Sequence, residues 1–179
     1  MTNDKGKKKA VGLQLLSRDA TGELSAILQV RGKWDKEKNM PESYPGACQV
    51  TVHGGLEQGE DFMQALFRET EEELGNEMRP VVENLFRTGK LQELVNFETP
   101  EKQTITYGAI VEKNILNILF SRSKSPSFGG FKLIQSNQVD KIVDLRTLNK
   151  EIGVTDKNII AMFPDEKESV RLAFEKLDF

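Results

Sequence analysis

The sequence predicts an α/β (α+β) chain built on a mixed β-sheet, and three observations predict it. Strand-length apolar segments come first, then one strongly signalled helix, then more strand-length segments and a closing amphipathic helix. The residues 17–23 between the first two apolar segments have turn-forming composition, which makes those segments a β-hairpin. The central helix carries both a start signal, Asp61 with Gln64 three residues on, and a stop signal at Gly75.

Taken in order, residues 1–9 read as a flexible basic tail and 10–179 as a single domain. Segments 10–16 and 24–31 are the hairpin strands, and 32–46 is a charged loop closed by Pro41 and Pro45. A brief strand at 49–52 leads into Gly54 and Gly55, and the helix follows over 61–74. Segments 89–98 and 104–112 read as strands, 121–130 as a Ser/Gly/Pro-rich loop and 139–145 as a further strand. The last helix spans 165–177, with Val170, Phe174 and Leu177 at helical spacing.

Composition narrows the function. The chain has 179 residues, and its 25 basic against 28 acidic residues argue against a nucleic-acid binder held by phosphate neutralisation. No apolar run reaches the roughly 18–20 residues of a membrane span, and no signal-peptide pattern opens the chain, so a cytoplasmic location is expected. One cysteine, Cys48, and one histidine, His53, exclude disulfide frameworks and multi-histidine or multi-cysteine metal sites.

The central helix holds more glutamate than folding requires. Glu69, Glu71, Glu72 and Glu73 crowd its C-terminal end, where the helix dipole disfavours negative charge. At 100° per residue, about 3.6 to the turn, Glu69, Glu72 and Glu73 share a sector and Glu71 points away. Arg68, four residues before Glu72, can offset part of the repulsion. The stripe of Met63, Leu66, Phe67, Thr70 and Leu74 can seat the helix on the sheet. Carboxylates converging against local stability suit a hard divalent cation.

From Gly54 the chain reads Gly, five residues, Glu60, seven residues, then Arg68-Glu69-Thr70-Glu71-Glu72-Glu73-Leu74-Gly75-Asn76. This resembles the Nudix box, G-x5-E-x7-R-E-U-x-E-E-x-G-U, with all seven fixed letters in register. Both bulky aliphatic U positions depart from it, as Thr70 and Asn76. The resemblance implies an α/β/α sandwich with a mixed sheet and a loop-helix-loop catalytic motif. It also implies a Mg²⁺- or Mn²⁺-dependent pyrophosphohydrolase acting on a small-molecule nucleoside-diphosphate derivative. By resemblance, Glu69, Glu72 and Glu73 are metal ligands, Glu60 supports the metal site and Arg68 orients the glutamates. Gly54 and Gly55 would let backbone approach the phosphates. Homodimers are common among such proteins, although no residue here demonstrates one.

Around the box, Arg31 and Lys33 could meet phosphate, His53 adjoins the site, and Trp34 and Tyr44 could stack a base. Arg122, Lys124 and Phe128 in the later loop could also touch substrate. The general base stays open among Glu93, Glu98, Glu101, Glu112 and a box glutamate, because 113–139 holds no acidic residue. Two alternatives follow. One is a Nudix-fold module that binds a ligand without turnover. The other is a relative of isopentenyl-diphosphate isomerase, whose Pro-Gly pair is similar to Pro45-Gly46; its cysteine and histidine positions beside the first box glycine hold His53 and Gly55 here.

Overall fold

The computed structural model describes residues 6–177. Of the expected tail 1–9, residues 1–5 lie outside the described residues, and Lys8 and Lys9 already belong to β1 (Lys8–Arg18). β1 turns into β2 (Leu24–Arg31) as expected, through Asp19, whose carboxylate accepts from the amides of Thr21 and Glu23. The charged loop carries a small hairpin, β3 (Trp34–Asp35) and β4 (Met40–Pro41). The single strand expected at 49–52 is two, β5 (Cys48–Gln49) and β6 (Val52–Gly55), because the first pairs with β2 and the second with β1.

Then come α1 (Phe62–Leu74), α2 (Met78–Arg87), β7 (Gln92–Glu98), β8 (Lys102–Val111) and α3 (Lys113–Phe120). α2 and α3 go beyond the sequence-based expectation. The loop expected over 121–130 ends at Ser127, since buried Phe128 opens β9 (Phe128–Gln135) on the free side of β2. The strand expected over 139–145 is largely 3₁₀-helical turn, with only β10 (Val143–Asp144) extended and paired to β11 (Ala161–Met162). Val139, Ile142 and Leu145 explain the difference: they recur every third residue and are all buried, the period of a 3₁₀ turn. α4 (Pro164–Leu177) closes the chain.

The sheet runs β5-β2-β1-β8-β7, with β9 on β2 and β6 on the first half of β1. β1 and β8 are parallel along their whole length while the other pairings are antiparallel, so the sheet is mixed. On one side of β1, β6 pairs with the first half and β2 with the second. Thr51 bridges the resulting gap: its hydroxyl accepts from Leu15 N at 2.9 Å and donates to Ile27 O at 2.6 Å.

Apolar alternation along the strands builds two cores. Val11, Leu13 and Leu15 pack with Leu66, Leu74, Met78 and Val82 beneath α1 and α2. Leu16, Ala26 and Leu28 pack on the other face with Val170, Ala173 and Leu177 of α4. Helices therefore cover both faces, giving the expected α/β/α sandwich. No helix of the described residues is long and apolar enough to cross a membrane.

Candidate active site

α1 is held at both ends as its sequence dictates. Asp61 accepts from Gln64 N at 2.7 Å while Gln64 Oε1 accepts from Asp61 N at 3.0 Å. Gly75 ends the helix with φ at 98°, its amide bonded to Glu71 O. Thr70 is fully buried, and its hydroxyl donates to Leu66 O at 2.7 Å, so a polar atom sits in the core without a lost hydrogen bond.

The acidic face of α1 lies against an open cleft of about 450 Å³. Glu69, Glu72 and Glu73 line it, and the β3–β4 hairpin closes over it from the far side. That hairpin is shaped by Asp35, whose carboxylate accepts from the amides of Glu37 and Lys38. Glu37 then meets Glu69 and Glu72, with one carboxylate oxygen of each inside 4.8 Å of the others.

Arg68 organises the approach. Its Nε and Nη2 donate to the two oxygens of Glu60 at 2.7 and 3.0 Å, and its Nη1 donates to Glu69 at 2.8 Å and Glu72 at 3.3 Å. Nη2 also donates to Gly55 O at 2.8 Å, tying α1 to β6. The hydrogen bonds from Arg68 hold the Glu60 carboxyl below its ordinary range.

Burial pushes Glu69 up to about 7, against the pull of Arg68. Burial, then the neighbouring Glu69, pushes Glu73 up to about 8. Glu73 is steadied by Gln29 Nε2 at 3.1 Å and His53 N at 3.4 Å. One guanidinium thus serves several crowded carboxylates, and Glu37, Glu69 and Glu72 together present a donor set made of carboxylate oxygens. That donor set fits a divalent cation such as Mg²⁺ or Mn²⁺, which would relieve the repulsion that burial magnifies.

No family model and no curated protein sequence matches the chain. Solved structures do. A MutT/Nudix family protein from Listeria innocua superposes with a TM-score of 0.52 at 18% identity, over 74% of this chain and 82% of that one. One from Enterococcus faecalis gives 0.56 at 15% identity, over 95% of this chain and 61% of that one. A chain of the complex between the C-terminal domain of mouse MUTYH and human PCNA gives 0.52 at 12% identity, over 94% and 88%.

The chain has the Nudix fold. Within it, the motif from Gly54 to Asn76 runs from β6 through α1 into its C-terminal cap, the loop-helix-loop the sequence implied. The structure brings Glu69, Glu72 and Glu73 to the cleft but not Glu60, whose two oxygens are taken by Arg68. Gly54 and Gly55 do not line the cleft either. Gly54 lies under Glu69, where an added Cβ would stand 2.0 Å from the carboxylate carbon.

Arg31 lines the cleft, donates to Glu42 at 3.3 Å and stacks 5.5 Å from the Phe163 ring centre. His53 borders the cleft and also a small crevice with Glu166 and Ser169, and burial holds its imidazole down at about 4. Trp34, Arg122 and Phe128 line the cleft, whereas Tyr44 packs edge-on against Phe163. Glu93, Glu98, Glu101 and Glu112 line none of it. Glu37 was missed by sequence reasoning. It sits 32 residues before Glu69 in an undistinguished charged loop, and only the turn at Asp35 hints that its backbone is ordered.

Proposed function

We propose that the chain is a divalent-metal-dependent pyrophosphohydrolase that cleaves a nucleoside diphosphate linked to another group, working as one domain over 10–179. The observation that carries this reading is the convergence of Glu37, Glu69 and Glu72 at a cleft whose walls also bear Lys36, Lys38 and Arg122. Carboxylates for a cation beside cations for phosphate make the pattern a metal-bound diphosphate needs.

Glu37, Glu69 and Glu72 would hold Mg²⁺ or Mn²⁺, with Glu73 beside them. Such an ion, when bound, neutralises phosphate oxygens and lowers the pKa of water. Arg68 positions Glu69 and Glu72, and Glu60 positions Arg68. Arg31 and Arg122 line the cleft and would bind phosphate oxygens there. Of the glutamates considered for the base, only the box residues Glu69, Glu72 and Glu73 line the cleft; with Glu69 and Glu72 given to the cation, Glu73 is the residue we assign to receive a proton from water. His53, neutral at ordinary pH, would contribute through its amide to Glu73.

A product-release screen over nucleoside triphosphates, nucleotide sugars, dinucleoside polyphosphates and ADP-ribose, with Mg²⁺ or Mn²⁺, tests the proposal beside Glu72→Gln and Glu73→Gln. Hydrolysis of one class that both changes abolish is the expected result. Metal-dependent thermal stabilisation by those compounds with no product would overturn it in favour of a binding module. That second reading is favoured by one observation, the lack of any acidic residue over 113–139.

A further inference from the structure

Beside the carboxylate cleft lies a second cavity of about 620 Å³, and the two share Arg31, Ser125 and Phe128 as a common wall. Their chemistry differs, since the first mixes carboxylates with cations. The second cavity has an apolar lining from Val30, Phe131 and Val154, with exposed Ile152 at its lip. Five cationic residues surround that lining, and no carboxylate does. In a chain with more acidic than basic residues, this is a marked segregation of charge.

Two of the five cations are engaged: Arg31 faces Glu42, and Lys132 donates to Lys157 O at 2.9 Å. Lys33, Lys124 and Lys157 have side chains without a hydrogen bond or ion pair among the described residues. Arg31 adds a buried Nε with no partner on the shared wall.

The walls are locked by close backbone contacts. Lys33 N and Trp34 N both donate to Pro126 O, at 2.7 and 2.9 Å, and a Cβ on Gly32 would stand 2.3 Å from that oxygen. Across the cavity, Val154 N donates to Pro45 O at 2.9 Å, and a Cβ on Gly153 would stand 2.0 Å from it. Glycine permits both approaches, so the cavity is preformed rather than opened by a ligand.

We propose that this cavity is a ligand subsite for an apolar group that carries its own negative charge. An apolar body displaces water from the floor, and its anionic group answers the three unpaired lysines. A neutral apolar molecule satisfies only the first demand and a bare inorganic anion only the second. The shared wall makes the occupant the far end of a molecule whose diphosphate lies in the carboxylate cleft. That last clause rests on the hydrolase reading; binding itself does not.

The test uses anilinonaphthalene sulfonate, an aromatic body with one negative charge, and its uncharged counterpart N-phenylnaphthylamine. Fluorescence titration of the full chain is done with chelator present, so no turnover enters the readout. We expect one saturable site for the sulfonate and roughly tenfold weaker binding of the neutral compound. Lys124→Glu combined with Lys157→Glu should weaken the sulfonate about tenfold, on the order of two surface charge contacts. Ile152→Asp should weaken it too. Lys141→Glu, an exposed reversal outside the cavity, should leave it unchanged, and melting temperatures should match throughout. Absence of a saturable site, equal binding of both compounds, or equal effects of the cavity and control reversals would overturn the proposal. Glu72→Gln, which tests the hydrolase reading, should leave probe binding intact, so the two can fail separately.

Discussion

Gly54→Ala tests whether the Glu69 carboxylate occupies the place its geometry demands. Gly54 has no positive φ, so alanine strains no backbone there and only the contact is perturbed. The new Cβ would lie 2.0 Å from Glu69 Cδ and 2.2 and 2.4 Å from its oxygens, where ordinary contact begins at 3.4 Å. Glu69 must therefore retreat by about 1.4 Å, the difference between those limits. It is only 3% exposed and bonded to Arg68 at 2.8 Å, so it cannot swing freely into solvent. Forcing one carbon into such packing costs about 1–3 kcal/mol. For a chain of this size that lowers Tm by roughly 4–8 °C for about 2 kcal/mol. A misplacement of about 1 Å at a catalytic group lowers turnover about a hundredfold. Gly55→Ala is the control, since its Cβ meets nothing nearer than Lys9 O at 3.8 Å. Calorimetric melting and Mn²⁺ titration of both variants decide the matter. Equal Tm and equal metal affinity in the two would refute the reasoning.

Glu37→Gln should weaken Mn²⁺ binding about tenfold, one charged ligand's share, while leaving Tm unchanged because the side chain is exposed; titration calorimetry checks it. Glu166, buried in the first turn of α4 and accepting from Val50 N at 3.2 Å, has its carboxyl pushed up by burial to about 7. Between pH 4.5 and 7 the folded chain therefore holds more protons there than the unfolded chain, and stability falls as pH rises through that window. Glu166→Gln should remove this slope and add up to about 3 kcal/mol at pH 8 with little change at pH 4, read by urea unfolding of both proteins. Thr70→Val should leave turnover unchanged and raise Tm by roughly 1–3 °C, because the lost hydroxyl bond goes to a carbonyl already inside the helix.

Local chemistry explains why so much of α1 was readable beforehand. A cap, a stop and a face of carboxylates all lie within one helix, where residues three and four apart are neighbours whatever surrounds them. The hairpin of β1 and β2 was legible for the same reason, its turn being set by Asp19 and Gly22. The segment 139–145 was misread because a run of apolar residues admits more than one period, and burial of every third residue decides for the 3₁₀ turn. α3, with its apolar run Ile115-Leu116 and Ile118-Leu119, is ambiguous in the same way until it packs on the sheet.

The sequence alone determined the central helix and the three box glutamates that reach the cleft, because these follow from spacing along one element, and the order of strand and helix signals along the chain predicted the mixed sheet. Only the tertiary structure decided that Glu60 serves Arg68, that Gly54 makes room for Glu69, and that Glu37 arrives from a hairpin 32 residues away. It also decided that lysines from three separate segments ring one apolar cavity. Such pairings depend on how loops fold back across the sheet, and the sum of many packing contacts sets that path, not a local pattern.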